Sequence, residues 1–316
     1  MIRFEKVTKQ YADGTTAVKS LNLEIKDGEF FILIGPSGCG KTTTLKMINR
    51  LIGVSSGTVS INGKPISDYD IHELRWEIGY VLQQIALFPH MTIAENIAVV
   101  PEMKKWSKEK MAARVDELLH MVGLDPATYR SRKPGELSGG QQQRVGVIRA
   151  LAADPEILLM DEPFSALDPF SREKLQDDLL DIQRTIKKTI VFVTHDMKEA
   201  MKLGDRVCLM REGQVVQIGT PSELLTNPEN EFVREFVGMQ EMNLDWHDVI
   251  TPVEDASVND QQPVPYTMPL NELLERMAAA EVIAVEKNGN VIGVIHRSNL
   301  LRKMAQYVKQ GGRLHE

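Results

Sequence analysis

The amino-terminal 65 residues alternate apolar and polar positions in a pattern that predicts short strands separated by turns. Leu21, Leu23 and Ile25 alternate with polar neighbours, as a half-buried strand requires. Phe30 to Ile34 is a continuous apolar run of the length of a fully buried strand. The Asn62-Gly63 pair is typical of a tight turn between strands.

Helices are predicted from about residue 67, and strands and helices then alternate. Between Lys108 and Val122 the apolar positions repeat at three- and four-residue steps, and Gly123 ends this predicted helix. Three further strands are predicted, with helices between them, at residues 157–160, 190–193 and 206–210. Alternating strands and helices predict a mostly parallel sheet.

The pattern changes again after about residue 238. Residues 239–265 hold several prolines and few periodic apolar positions, and we interpret them as a linker. Order resumes in residues 266–316, where the pattern predicts a helix, two strands joined at Asn288-Gly289, and a last helix capped by Ser298. The chain is therefore predicted to comprise a first domain, residues 1–238, a linker, residues 239–265, and a small α+β module, residues 266–316, with a first segment that can begin near residue 247.

Composition narrows the classes of protein that remain. Hydrophobic residues make up 42% and charged residues 26% of the 316 residues, which excludes wholesale disorder, collagen and disulfide scaffolds. A net charge of −7 argues against a nucleic-acid partner. Cys39 and Cys208 form no CxxC pair, which favours a reducing compartment. Neither a signal peptide nor a membrane-spanning apolar run is expected.

The sharpest motif is a phosphate-binding loop of the form GxxxxGK[ST] between a predicted strand and a predicted helix that buries Leu45, Ile48 and Ile52. Lys41 is expected to reach the β- and γ-phosphates of ATP, and the Thr42 hydroxyl to bind Mg²⁺. The predicted ATP-binding residues are Gly35, Pro36, Ser37, Gly38, Cys39, Gly40, Lys41, Thr42 and Thr43.

A pair of carboxylates supplies the acidic partner that such a loop needs. Asp161 and Glu162 follow the apolar run of residues 157–160. Asp161 is predicted to hold Mg²⁺, and Glu162 to polarise the attacking water as a general base.

The segment between these motifs resembles a known family. Leu137, Ser138, Gly139, Gly140 and Gln141, followed by Gln142-Gln143-Arg144, are similar to the signature of ATP-binding cassette (ABC) ATPases. The resemblance implies that this segment contacts the ATP of the opposite subunit, so that a homodimer sandwiches two ATP molecules. It also implies a P-loop cassette with a mixed, mostly parallel core sheet, an antiparallel β-subdomain and a helical subdomain.

Other positions match further motifs of the same family. The resemblance implies that Gln83 touches Mg²⁺, that Asp168 at the end of Ser165-Ala166-Leu167-Asp168 crosses the dimer interface, and that His195 contacts the γ-phosphate. It places Tyr11 against adenine. The predicted catalytic residues are Glu162, His195 and Gln83, and the predicted Mg²⁺ ligands are Thr42, Gln83 and Asp161.

Cys39 lies within the phosphate loop and allows two interpretations. One is redox sensitivity, because a helix N-terminus lowers the pKa of a thiol. The other is a small residue tolerated there without a function.

Residues 87–97 resemble the segment of bacterial importers that receives a helix of the permease. This implies a peripheral subunit at the cytoplasmic face of the inner membrane, with permease subunits as partners and an extracytoplasmic substrate-binding protein acting indirectly. The alternative of a different class is a stand-alone ABC ATPase of translation or DNA metabolism.

Two features bear on the transported solute. Lys46-Met47-Ile48-Asn49-Arg50-Leu51 resembles importers of quaternary amines such as glycine betaine, choline and carnitine, and the tail resembles a single cystathionine-β-synthase-type (CBS) motif. The tail is interpreted either as a regulatory module or as a dimerisation module, and its basic residues either as facing anionic lipid or as a solvated helix face. An amino acid or another small amine is the alternative solute.

Overall fold

The chain divides into two compact units, Met1–Val233 and Arg234–Glu316. The structure, a computed structural model, describes residues 1–84, 86–165, 167–241, 249–252, 263–266, 268, 270–287 and 289–309. Ala166, Asn288 and most of the predicted linker lie outside the described residues. None of the helices in the described part of the chain is long and apolar enough to cross a membrane.

A six-stranded sheet forms the centre of the first unit. In spatial order its strands are β10 (Gln214–Gly219), β9 (Arg206–Arg211), β3 (Phe30–Ile34), β8 (Thr189–Val193), β7 (Ile157–Asp161) and β6 (Ile78–Val81). Neighbours pair in parallel except β9 with β10. Every residue of β3, β7 and β8 is buried, as parallel strands covered on both faces require. The predicted α/β class is confirmed.

A second, antiparallel sheet uses the amino-terminal strands. Its order is β2 (Thr16–Ile25), β1 (Ile2–Gln10), β4 (Ser56–Ile61) and β5 (Lys64–Pro65). Leu21, Leu23 and Ile25 are buried and their polar neighbours exposed, because side chains alternate between the two faces of a strand. Asn62 and Gly63 both have positive φ, the geometry of a tight hairpin turn.

The helices of the first unit surround these sheets. They are α1 (Lys41–Ile48), α2 (Ile71–Trp76), α3 (Ile93–Met103), α4 (Lys108–Met121), α5 (Pro126–Tyr129), α6 (Gly139–Leu151), α7 (Pro169–Ile186), α8 (Met197–Leu203) and α9 (Pro221–Thr226), while α10 (Glu231–Glu241) follows them. Two short 3₁₀ turns occupy Ile66–Asp68 and Pro134–Glu136. Hydroxyl caps begin several helices; Ser107, for example, accepts the Lys110 N–H at the start of α4.

Two predictions for the first unit were wrong in detail. Helix α1 ends at Ile48, because the N–H groups of Leu51 and Ile52 both bond to the Lys46 carbonyl and Arg50 has φ +52°. Ile52 still packs against the core, but from beyond the helix. The region predicted to be helical from residue 67 also contains β6, whose four residues are too few for a clear strand pattern.

The second unit has its own sheet and core. Its described strands run in the order β11 (Ile250–Thr251), β14 (Asn290–His296), β13 (Val282–Lys287) and β12 (Val264–Pro265), with helices α11 (Leu270–Ala279) and α12 (Arg297–Lys309). Leu273, Met277 and Ile295 belong to its core. The predicted cap was wrong: α12 begins at Arg297, whose N–H bonds to the Glu281 carbonyl, so Ser298 lies inside the first turn.

Candidate functional site

Four strand ends bring the predicted site residues to one edge of the central sheet. Because β3, β6, β7 and β8 are parallel, their carboxyl ends meet at the same edge, where α/β folds bind ligands. The phosphate loop follows β3, and Asp161 ends β7. His195 lies two residues after β8, and Gln83 two residues after β6.

The phosphate loop is closed around its own lysine. Lys41 is only 5% exposed, and its ammonium donates hydrogen bonds to the carbonyls of Gly35 (2.7 Å) and Pro36 (3.0 Å). Gly40 has φ +104°, and a Cβ there would lie 2.4 Å from the Ala17 carbonyl oxygen. The glycine is therefore needed both for its backbone conformation and for the close approach of β2.

Asp161 is held from three directions. The Thr42 hydroxyl donates to Oδ1 at 2.7 Å, the Tyr80 hydroxyl reaches Oδ2 at 3.3 Å, and the Lys46 ammonium lies 3.9 Å from Oδ2. Burial, with the Asp161 charge, raises the pKa of Tyr80, so its hydroxyl remains a donor. The paired hydroxyl and carboxylate oxygens of Thr42 and Asp161 are the hard donors that suit Mg²⁺.

Glu162 and His195 lie side by side at the ends of β7 and β8. Their side chains approach to 3.1 Å between Oε2 and Nδ1. Glu162 has φ +46°, a conformation that is costly for a residue with a side chain, and its N–H donates to the Val193 carbonyl at 3.0 Å. Strained backbone held by its surroundings is common at functional sites.

A buried pair of polar side chains supports the segment that carries His195. The Thr194 hydroxyl donates to Glu199 at 2.6 Å and accepts the Asp196 N–H at 3.0 Å. Asp196 in turn caps α8 by accepting the Lys198 N–H. Burial raises the pKa of Glu199. The histidine is thus fixed between a strand end and a capped helix.

The remaining predicted residues take less central positions. The Tyr11 hydroxyl lies 3.3 Å from the Thr43 hydroxyl, which puts this half-exposed ring beside the phosphate loop. Gln83 is exposed at the end of β6. Asp168 caps α7 by accepting the Ser171 N–H at 3.0 Å.

The signature segment forms the start of α6. Ser138 is its cap: the hydroxyl accepts the Gln141 N–H, and the Gln141 side chain accepts the Ser138 N–H, while Leu137 is buried. A Cβ on Gly139 would meet nothing within 4 Å. The helix N-terminus is therefore exposed and open, as a phosphate-binding surface requires.

The structure contradicts the basis of the redox hypothesis for Cys39. The thiol is buried, and this burial raises its pKa even though the Lys41 ammonium lies 3.9 Å away. A reactive thiol needs a lowered pKa and access to solvent. The structure favours the interpretation of Cys39 as a tolerated small residue.

A groove of about 470 Å³ lies along β6, and Leu51, Tyr80, Leu82, Phe88 and Arg149 are among the residues that line it. Leu51 is 50% and Phe88 41% exposed. One buried side chain shapes its rim: Asn96 accepts the Phe88 N–H and donates to the carbonyls of Phe88, Met91 and Thr92. This groove is mostly apolar and partly open.

Sequence reasoning gave no role to several residues of the site. The sequence motifs assign nothing to Tyr80, yet strand pairing with β7 places it on the same face of the sheet as Asp161. Thr194 and Glu199 are five positions apart, on either side of the turn from β8 into α8, so no helical spacing in the sequence indicates their contact. Asn96 carried no signal beyond its place among apolar neighbours.

Comparisons with known proteins agree with the motifs. Residues 18–165 match the ABC transporter family. The chain is 50% identical over 302 residues to the glycine betaine/carnitine/choline transport ATP-binding protein OpuCA of Bacillus subtilis, covering 96% of this chain and 77% of that protein. It is 45% identical over 307 residues to the glycine betaine uptake system ATP-binding protein YehX of Escherichia coli, covering 95% and 99%.

A solved structure is similar to most of the chain. It is a dimeric post-hydrolysis state of an ATP-binding cassette bound to ADP and Pi, 38% identical, with a TM-score of 0.63. The match covers 70% of this chain and 99% of that one. The shared region is an ATP-binding cassette.

Proposed function

This chain belongs to the ABC transporter family of ATP-binding proteins, and on that premise we propose that it powers the import of a quaternary-amine osmoprotectant through a membrane permease. It is an ATP hydrolase. The observation that carries the proposal is the cluster of Thr42, Asp161, Glu162 and His195 at one sheet edge in a chain similar to glycine betaine transport ATP-binding proteins.

The phosphate loop would bind the β- and γ-phosphates. Lys41 would exchange its bonds to the loop carbonyls for bonds to phosphate oxygens, which carry full charge and form stronger hydrogen bonds. N–H groups at the start of α1 add the positive end of the helix dipole. Tyr11, whose hydroxyl lies beside that of Thr43, would stack on the adenine ring.

Glu162 would act as the general base. Its carboxylate accepts a proton from a water molecule as the water oxygen attacks the γ-phosphorus in line, and the bond from phosphorus to the ADP oxygen breaks. His195, 3.1 Å from Glu162, orients that carboxylate and contacts the γ-phosphate. Phosphate and ADP are the products.

Thr42, Asp161 and Gln83 would hold Mg²⁺, which would offset the negative charge that develops on the phosphate oxygens. The 2.7 Å contact between Thr42 and Asp161 supports two of these ligands. Gln83 would have to turn inward from its exposed position.

Two copies of the chain would complete two sites. The open start of α6, with Ser138 and Gly140, is suited to the γ-phosphate of ATP held by the partner, and Asp168 would lie at the interface between the copies. The dimeric state of the similar cassette supports this arrangement.

The permease would dock on the groove beside β6. Exposed apolar side chains, Leu51, Leu82 and Phe88, line a surface of the kind that receives an amphipathic helix. This docking would place the chain at the cytoplasmic face of the inner membrane, with an extracytoplasmic binding protein delivering the solute.

The second unit would be a single CBS-like module, acting in regulation or in dimerisation. Its helix–strand–strand–helix order, with α11, β13, β14 and α12 around a common core, supports this assignment. The single motif would need a second copy of the chain to form the usual pair.

Uptake into vesicles that contain the chain with its permease and binding protein tests the solute. We expect ATP-dependent uptake of glycine betaine, choline or carnitine. Uptake of amino acids alone would favour the alternative solute, and ATP hydrolysis stimulated by ribosomes or DNA instead of a permease would favour a stand-alone ATPase.

A further inference from the structure

Tyr80 belongs both to the surroundings of Asp161 and to the groove beside β6. Its hydroxyl lies 3.3 Å from Asp161 Oδ2, while the residue is one of those that line the groove. These two places have no other side chain in common among the contacts described above.

Strand register explains how one residue reaches both places. Tyr80 of β6 pairs in parallel with Leu159 of β7. Because side chains alternate along a strand, Tyr80, Leu159 and Asp161 point to the same face of the sheet. β6 is the edge strand of the sheet, so Tyr80 lies at the border between the buried site and the open groove.

The two carboxylate oxygens of Asp161 accept hydrogen bonds from different side chains. The Thr42 hydroxyl, which is itself predicted to bind Mg²⁺, donates a hydrogen bond to Oδ1 and so holds that oxygen in place. Tyr80, together with the more distant Lys46, occupies Oδ2. With both oxygens held, the carboxylate cannot rotate about its bond to Cβ without losing a contact.

We propose that Tyr80 is a positioning residue: it holds Asp161 for Mg²⁺ through the bond to Oδ2 and links that carboxylate to the groove. A segment that enters the groove would press on β6 and so shift the bond to Asp161. The link to the groove rests on the proposed docking of the permease, whereas the positioning of Asp161 does not.

Tyr80→Phe tests the positioning role, because it keeps the ring and removes only the hydroxyl. A matched control is Tyr69→Phe, which removes a hydroxyl that donates to the Ile61 carbonyl at 3.1 Å, away from Asp161. The isolated chain is titrated with Mg²⁺ in the presence of a fluorescent ATP analogue, and the analogue's affinity is also measured in EDTA.

Loss of a bond to a metal-binding carboxylate typically weakens metal affinity by about 10- to 100-fold. For Tyr80→Phe we expect the half-saturating Mg²⁺ concentration to rise roughly tenfold, with the affinity in EDTA unchanged and with the Tyr69→Phe titration on the parental curve. A Tyr80→Phe titration that overlays the parental one would overturn the positioning role, and this result does not depend on any permease.

The link to the groove is tested in the assembled transporter. The measurement is made at saturating Mg²⁺, which offsets the weaker metal binding of the variant. We expect Tyr80→Phe to reduce the stimulation of ATP hydrolysis by the permease several-fold. The amount of permease that co-purifies should be unchanged. Stimulation equal to that of Tyr69→Phe would overturn the link. Absence of stimulation in the parental protein would instead count against the proposed function.

Discussion

The imidazole Nδ1 of His195 lies 3.1 Å from a carboxylate oxygen of Glu162. The contact joins the ends of two adjacent parallel strands, and the bond from the Glu162 N–H to the Val193 carbonyl ties the same two strands together. The orientation of the proposed general base is therefore set by the register of β7 against β8.

Replacing this carboxylate should stop turnover without preventing ATP binding. Glu162→Gln is expected to lower the rate of phosphate release at least 100-fold, because general-base catalysis contributes about 10²- to 10⁴-fold. ATP-bound dimers, detected by light scattering, should accumulate. Glu212→Gln is the control, since Glu212 also has positive φ (+51°) but is exposed outside the site. Near-parental hydrolysis by Glu162→Gln would contradict the assignment.

The phosphate loop should tolerate no side chain at Gly40. Gly40→Ala and Gly63→Ala both place alanine at positive φ, which costs about 1–2 kcal/mol, but only the Gly40 Cβ would overlap a neighbour, 2.4 Å from the Ala17 carbonyl oxygen. Overpacking adds roughly 1–3 kcal/mol. Urea unfolding should therefore show a larger loss of unfolding free energy for Gly40→Ala, and equal losses would contradict the close approach of β2.

Neither cysteine should react quickly in the native protein. Burial raises the pKa of Cys39, and that of Cys208 to about 12, so the thiolate fraction is small at neutral pH. An alkylating reagent at pH 7.5 should label the native chain slowly and the unfolded chain at both sites. Rapid labelling of Cys39 in a Cys208→Ala variant would revive the redox hypothesis.

Glu199 should make stability depend on pH. Its folded pKa is raised, so the folded state binds the proton more tightly. The associated stability is fully present below the unfolded pKa of about 4.3 and is lost as pH rises through the folded pKa. Glu199→Gln keeps a hydrogen-bond acceptor for the Thr194 hydroxyl but cannot ionise, so it removes the loss of stability that accompanies rising pH.

The difference in unfolding free energy between Glu199→Gln and the parental chain should grow as pH rises from the unfolded pKa of about 4.3 through the raised folded pKa, and then level off. Its total change is about 1.4 kcal/mol for each unit by which the two pKa values differ. Chemical denaturation at several pH values measures it. A difference for Glu199→Gln that does not change with pH would disprove the raised pKa of Glu199.

The tail should matter for regulation and not for hydrolysis. Every predicted site residue lies in the first unit, so deleting residues 245–316 is expected to preserve ATP hydrolysis and to remove the response of uptake to ionic strength. Uptake into vesicles at low and high internal salt measures this response. An unchanged response would assign the tail to dimerisation.

The α/β class, the phosphate loop, the signature segment and the carboxylate pair could all be predicted from the sequence. These features are local: a continuous apolar run predicts a buried strand, and glycines next to Lys41 predict a phosphate cradle, without any knowledge of distant residues. Resemblance to the family then assigned roles to the remaining motif residues, including Gln83, Asp168 and His195.

Which residues are in contact depends on the tertiary fold. Thr42 and Asp161 are 119 positions apart, and only the register of parallel strands brings them within 2.7 Å and places Tyr80 on the same face. The same holds for Cys39, whose position at a helix start suggested a low thiol pKa until packing showed that burial raises it. Local patterns record propensity and side-chain chemistry, whereas contact, burial and pKa depend on what distant segments place beside a residue.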